Sequence, residues 1–320
     1  MDDIRCADAP AAWAASAESK TKNASHKKSE RDPCGLLLQC LMTLPSIFVS
    51  HGSPMIALNP GAAGAFMQRL GRTITRVHGK PRAVLVVSAH STGRRPALLA
   101  GAQHHAIYDF GGFDARLNQL RYDAPGSPVL AAQVADLLTQ ASLPHHVLPQ
   151  GGLDHGAWTA LRYLFPEADV PVLPLAYVPS HSPAQQFALG EALQPLRDDG
   201  VLVLASGGIT HNLGRVFANV SSEGGMPAED APEIAESTAF RQWMLERSAA
   251  RDWDALFNYR ARAPHAVDMH PTDEHLLPWF VAAGAGGREN APMRLHSSVS
   301  MGCLGMDAYA FGASATALQA

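Results

Sequence analysis

Histidine is the side chain best fitted both to hold a divalent metal and to move protons near neutral pH, and this chain of 320 residues has fifteen of them. Three stand at the ends of apolar, strand-like runs: Ile47-Phe-Val-Ser-His51, Val84-Leu-Val-Val-Ser-Ala-His90 and Val203-Leu-Ala-Ser-Gly-Gly-Ile-Thr-His211. Ligands of open α/β sheets bind beyond the carboxyl ends of the strands. One histidine there is an ordinary hydrogen-bonded strand end, whereas three in the same context point to a metal or proton-transfer site. Small neighbours (Gly52-Ser53, Ser88-Ala89, Ser206-Gly-Gly208) leave room for backbone or ligand to come close.

A later cluster, His265, His270 and His275, lies in Ala-Pro-His-Ala-Val-Asp-Met-His-Pro-Thr-Asp-Glu-His-Leu-Leu-Pro. Thr272 before an apolar run reads as a helix cap, which places His275 in the first helical turn, a rigid position for a ligand. His265 and His270 read as loop residues. Asp154-His155-Gly156 forms a short polar loop in which Asp154 is expected to orient the imidazole, as outer carboxylates do for metal-site histidines. The remaining histidines (26, 78, 104, 105, 145, 146, 181 and 296) read as surface or loop positions. GxxxxGK[ST], GxGxxG after a strand, GxSxG and HExxH are all absent, which removes the main sequence support for phosphate cradles, dinucleotide sites and the usual serine-hydrolase elbow.

The elements that must position these residues begin after residue 43. Residues 1–43, with the charge cluster Lys20–Asp32, lack an amphipathic period and cannot offset their ordering entropy. They are expected to be a disordered or dispensable leader, with Met42 an alternative start. From residue 44 to 320 one catalytic domain is expected. Strand candidates are Ser46–Ser50, Ala83–Ser88, Pro96–Ala100, Val170–Tyr177, Val201–Ala205 and Met293–Val299. Helices are expected at about 60–75, 128–142, 157–165, 183–197, 231–250, 252–258 and 274–284. Val84-Leu-Val-Val and Val201-Leu-Val-Leu are apolar throughout, as in strands covered on both faces. The fold expected is therefore a single α/β domain. Its central sheet is largely parallel or mixed, with helices on both faces and the metal site at the C-terminal ends of the strands.

Composition narrows the partners. A net charge of −4 and 17% charged residues give no basic field for nucleic acid. No apolar run approaches the ~20 residues of a membrane span. Cys6, Cys34, Cys40 and Cys303 form neither a zinc-ribbon spacing nor a disulfide framework. A cytoplasmic protein with inert thiols is the expectation, its oligomeric state left open.

Taken in order, the histidine stretches resemble the class III extradiol ring-cleavage dioxygenases, in the branch similar to 4,5-DOPA dioxygenase. The matching segments are His51-Gly-Ser-Pro-Met55, Val87-Ser-Ala-His90-Ser, Tyr108-Asp-Phe-Gly-Gly-Phe113, Tyr122-Asp-Ala-Pro-Gly-Ser-Pro128, Leu153-Asp-His155-Gly-Ala-Trp158, Ala205-Ser-Gly-Gly-Ile-Thr-His211-Asn-Leu213 and Pro271-Thr-Asp-Glu-His275-Leu-Leu-Pro278. Each is short; their order across about residues 45–305 is specific. The resemblance implies His51, His90 and His275 as ligands of one divalent metal, Zn²⁺ or Fe²⁺. It implies His211 as base or fourth ligand, and His155 beside the substrate. Ser53, Tyr108 and Phe113 are expected at the substrate, a small catechol opened with O₂. The superfamily commonly has a glutamate as third ligand; this branch has histidine, and His275 follows it. Three neutral imidazoles suit zinc as well as iron. The residues alone leave two alternatives: a zinc-dependent hydrolase, and a non-catalytic metal-binding adaptor on the same scaffold.

Overall fold

Val84-Leu-Val-Val87 and Val201-Leu-Val-Leu204 are apolar at every position because both faces of the sheet they join are covered. Val84, Val86, Leu202 and Leu204 enter one core with Ile47 and Val49. Their neighbours Leu85, Val87, Val201 and Val203 enter a second core, on the opposite face, with Phe48. The computed structural model describes residues 43–218 and 227–319. The expected leader, 1–43, therefore lies outside the described residues except for Thr43.

Among the described residues the central sheet has eight strands. In chain order they are β1 (Ser46–Ser50), β2 (Ala83–Ser88), β3 (Ala97–Leu99), β4 (His146–Leu148), β5 (Val172–Ala176), β6 (Val201–Gly207), β7 (Met293–His296) and β8 (Ala308–Phe311). Across the sheet they run β4-β3-β5-β2-β6-β1-β8-β7. β5, β2, β6 and β1 are mutually parallel. β3 pairs antiparallel with β5 but parallel with β4, and β8 pairs antiparallel with both β1 and β7. The sheet is thus mixed, as one of the two expected arrangements, with its parallel centre carrying the histidine-tipped strands.

One face is covered by α1 (Gly61–His78) and α3 (His155–Leu164), which bring Met67, Leu70, Ile74, Trp158 and Leu161 onto the sheet. The other face holds α2 (Pro128–Gln140), α4 (Pro183–Ala192) and α6 (Leu277–Gly286), and α5 (Ala235–Ala249) adds Phe240 and Met244 to the same core. α6 is buried along its whole length, which is why it is apolar all round. Truncating a fully buried leucine here, such as Leu161, would cost about 2–5 kcal/mol.

Several elements differ from the expectation for physical reasons. The helix expected at 183–197 breaks after Leu193, because Pro195 has no N–H to continue it and instead opens the short helix Pro195–Asp198. The expected strand Met293–Val299 stops at His296; Val299–Ser300 turns away to pair with Leu304–Gly305. β8 and β4 were not expected. β8 alternates alanine with aromatics, and its burial comes from pairing with β1 and from Trp279 rather than from a local apolar run. β4 is an exposed edge strand.

Thr272 does not cap α6. Its hydroxyl donates to Glu274 Oε1 (2.9 Å), while the Asp273 carbonyl accepts from the amides of Leu276 and Leu277. α6 begins at Leu277, so His275 sits in the turn before the helix rather than in its first turn.

Candidate active site

The carboxyl ends of β1, β2 and β6 place His51, His90 and His211 as expected, and the turn before α6 adds His275. The His51 amide donates to Gly207 O (3.0 Å), the Ala89 amide to Ser206 O (2.9 Å) and the Gly208 amide to His275 O (2.8 Å). This crossing of backbones requires glycine at 207, where a Cβ would lie 2.1 Å from the His275 carbonyl oxygen. Gly156 is required in the same way, since a Cβ there would press on Ser88 Oγ and the His51 ring. His155 opens α3, whose first turn is capped by Asp154 through the Ala157 amide.

The rings form one cluster. His51 lies 5.1 Å from His90, 5.5 Å from His155 and 5.6 Å from His275, measured between centroids. His90 and His155 approach to 4.0 Å, and His211 stacks on His275 at 3.4 Å with planes 7° apart. The ligand nitrogens of His51, His90 and His155 all fall within 4.8 Å of one another, as do ligand atoms of His211, Glu274 and His275.

Hydrogen bonds behind three of the rings, those of His51, His155 and His275, bear on their tautomers. Ser206 Oγ donates to Gly156 O (2.6 Å), so it must accept from His51 Nδ1 (2.9 Å). This leaves His51 Nε2 as a bare lone pair, 3.1 Å from His90 Nε2. His155 Nδ1 faces Asp109 Oδ2 at 3.0 Å, and its amide donates to Asp109 Oδ1 at 2.9 Å. Burial works against the Asp109 charge, but the His155 hydrogen bonds and charge hold its carboxyl below the ordinary value. The carboxylate therefore accepts, and His155 Nδ1 carries the proton. His275 Nδ1 is likewise beside Glu274 Oε1, at 3.4 Å. That hydrogen bond, before all else, draws the Glu274 carboxyl down to about 2.

Burial, and then the neighbouring imidazoles, disfavour positive charge on His51, His90 and His211. His51 is held well below the ordinary imidazole value by burial first and by His90 second. His90 is lowered to about 3 by burial, then by His155 and His275. His211 is lowered to about 2 by burial, then by His275. These rings are neutral at pH 7, the form that binds a metal or accepts a proton.

His90, His155, His211 and His275 line a cavity of about 360 Å³, together with Ser53, Phe110, Phe113, Leu213 and Glu274. Ser53 and Phe113, expected at the substrate, line this cavity. Tyr108 is set back: its hydroxyl donates to Leu120 O (2.5 Å), and its ring packs edge-on against Phe110 and Trp158. Phe110, from the same loop, lines the cavity instead.

Three expectations about side chains need correction. Asp154 does not orient His155; its carboxylate accepts from the hydroxyls of Ser88 and Ser91 and caps α3, and Asp109 takes the orienting role. His104 is buried, its Nδ1 3.1 Å from Gly151 O, rather than at the surface. His270 is also buried, with Nε2 bonded to Ile209 O (3.0 Å). The signal for Asp109 was its place in the Tyr108–Phe113 stretch; the signal for Glu274 was its adjacency to His275.

A mixed α/β sheet with histidines gathered at the carboxyl ends of its parallel strands is the setting of an enzyme site. Residues 45–312 match the family described as the catalytic LigB subunit of aromatic ring-opening dioxygenase, and the chain belongs to this family. It is 36% identical over 270 residues to a Beta vulgaris protein named 4,5-DOPA dioxygenase extradiol, covering 83% of this chain and 96% of that one. A protein of the same name from Escherichia coli (strain K12) is 34% identical over 265 residues, covering 82% of this chain and 93% of the other. The crystal structure of an uncharacterized Escherichia coli K12 protein superposes with a TM-score of 0.64 at 28% identity, over 84% of this chain and all of that one.

Proposed function

We propose that this chain is a metal-dependent extradiol dioxygenase that opens the ring of a catechol with O₂. The observation that carries the reading is the 3.1 Å separation of His51 Nε2 and His90 Nε2. Two nitrogens each about 2.0–2.1 Å from one divalent ion would stand about that far apart. The donors suit the ion: Ser206, Asp109 and Glu274 hold the Nδ1 protons of His51, His155 and His275, which leaves three Nε2 lone pairs for the cavity side.

His51, His90 and His275 are the proposed ligands, with His211, stacked on His275, the possible fourth. His155 groups with His51 and His90 as closely as a ligand would. Its hydrogen bond to Asp109 suits it better to proton transfer, because a carboxylate behind an imidazole stabilises the protonated ring. When bound, Fe²⁺ would hold the deprotonated diol beside O₂ and let electron density pass between them, and Zn²⁺ would fill the same nitrogens without redox chemistry. His211, neutral at pH 7, is the base that takes a diol proton. His155 takes or returns a proton as charge develops on oxygen, and Asp109 stabilises the imidazolium meanwhile. Phe110 and Phe113, in edge-to-face contact (5.9 Å), offer an aromatic wall to the ring and keep water off it.

The test is anaerobic reconstitution with Fe²⁺ followed by a panel of catechols in air. The expected result is O₂ uptake equal to catechol consumed, with a yellow ring-opened semialdehyde. No uptake with any catechol, alongside ester or amide hydrolysis by the zinc form, would replace this reading with a hydrolase.

A further inference from the structure

Of the three proposed ligands, His51 and His90 follow strands, whereas His275 sits in the turn before α6, where sheet register cannot hold it. The carbonyls of that turn show what does. Asp273 O accepts from the amides of Leu276 (2.9 Å) and Leu277 (3.1 Å), and His275 O from the Gly208 amide (2.8 Å). A helical pattern would give Glu274 O the amide four positions on, but that residue is Pro278, which has none. The donor to Glu274 O is instead the hydroxyl of Tyr177, at 2.6 Å. Tyr177 lies just beyond β5, fully buried, with its ring in the core on the α4 and α6 face. Its backbone is fastened to the loop after His90: its amide donates to Ser91 O (3.1 Å), and its carbonyl accepts from the Gly93 amide (2.8 Å). One residue thus joins the segment following His90 to the turn carrying His275, whose rings stand 5.0 Å apart. A second buried phenol braces the same turn, since the Tyr259 hydroxyl donates to Asp273 Oδ1 (2.5 Å), which also takes Arg260. Burial pushes both phenols well above their ordinary value, so each remains a donor. Neither lines the cavity of the histidine cluster.

We propose that Tyr177, with Tyr259 behind it, is a positioning residue that sets His275 at its distance from His90 before any metal binds. The proposal rests on the metal site of the dioxygenase reading and adds what pre-organises it. A ligand already held from behind costs the ion little ordering entropy, and hydrogen bonds one layer out from a metal site therefore act on its affinity. In Y177F the ring still fills the core, but the Glu274 carbonyl loses its donor. The turn that carries His275 is then free to shift, and the ion must order it on binding.

The experiment compares wild type, Y177F, Y259F and Y122F by Zn²⁺ affinity in competition with a chromophoric chelator, by the visible spectrum of the Co²⁺ form, and by the urea midpoint of the metal-free protein. Y122F is the matched control. Tyr122 is also buried, and its hydroxyl also donates to a backbone carbonyl, Phe165 O (3.0 Å), at the far end of α3 from His155. Each variant removes one hydroxyl from a buried phenol, so all three should lose some stability. Y177F should in addition bind Zn²⁺ about 10-fold or more weakly and change the Co²⁺ spectrum, and Y259F should move the same way by less. Y122F should stay within about 2-fold of wild type in Zn²⁺ affinity, with an unchanged Co²⁺ spectrum. Wild-type Zn²⁺ affinity and Co²⁺ spectrum in Y177F, whatever its urea midpoint, would leave Tyr177 a purely structural role and overturn the proposal. An equal loss of affinity in Y122F would overturn it as well. If Y177F does not fold, Y259F against Y122F decides. None of these readouts needs turnover, so a wild type that holds zinc but opens no catechol refutes the dioxygenase reading while the affinity comparison still decides the role of Tyr177.

Discussion

Replacing Asp109 by Asn isolates the proton-handling role proposed for His155. In the wild type, Oδ1 accepts from the His155 amide (2.9 Å) and Oδ2 from Nδ1–H (3.0 Å). The asparagine oxygen must serve the backbone amide, which can only donate, so its NH₂ then faces Nδ1. An NH₂ cannot accept, and Nδ1 must give up its proton to Nε2. The neutral ring then offers the cavity an N–H where the wild type offers a lone pair. Holding the original tautomer instead sacrifices one charge-assisted hydrogen bond, worth about 1.5–3 kcal/mol. At 1.4 kcal/mol per tenfold, kcat should fall about 10- to 150-fold, with KM changing far less. The assay is steady-state ring cleavage normalised to metal content, on D109N, H155A and the double variant. If the two residues act as one unit, D109N adds little on top of H155A. A D109N enzyme within about threefold of wild type refutes the reasoning. Metal loss in proportion to activity refutes it differently, by making His155 a ligand.

Replacing His275 by Ala should remove the metal itself, whereas His211→Ala should keep most of it and lower turnover by about 10²–10⁴-fold, as for loss of a general base; metal analysis beside rates decides, and equal metal loss would make His211 a full ligand. Acid should destabilise the fold through His270, which burial lowers to about 4 despite its bond to Ile209 O. Above the unfolded value of 6.5 both states hold the ring neutral. Between 6.5 and about 4 the unfolded chain takes a proton that the folded ring refuses, so stability falls with pH, by about 2 kcal/mol at pH 5. His270→Gln should start less stable at pH 7.5 yet lose about 2 kcal/mol less on going to pH 5, read from urea midpoints; an unchanged pH difference would exclude this cause. Removal of residues 1–41 should leave melting temperature and activity nearly unchanged, and a large loss in either would assign that segment a part in the fold.

Sequence alone carried the reading as far as local pattern reaches. Continuous apolar runs such as Val84–Val87 announced strands buried on both faces, and the histidines following them came out at the carboxyl edge because strand direction and length are written locally. The same holds for α1 and α3, whose apolar spacing is their own. What failed depended on contacts between segments far apart in the chain. β8 is a strand because β1 and Trp279 cover it, and nothing in Ala308–Phe311 records those neighbours. Thr272 has the residue type of a cap, but its hydroxyl donates to Glu274 instead, and a donated proton serves no amide of α6. Asp154 is next to His155 in sequence, yet its carboxylate is taken up by the Ala157 amide, which it caps, and by the hydroxyls of Ser88 and Ser91. Asp109, 46 residues away, reaches the imidazole instead. The kinds of residue that meet at the site were legible in the chain; which nitrogen carries the proton in His51 and His155 was decided by Ser206 and Asp109, partners that only the folded sheet brings within about 3 Å.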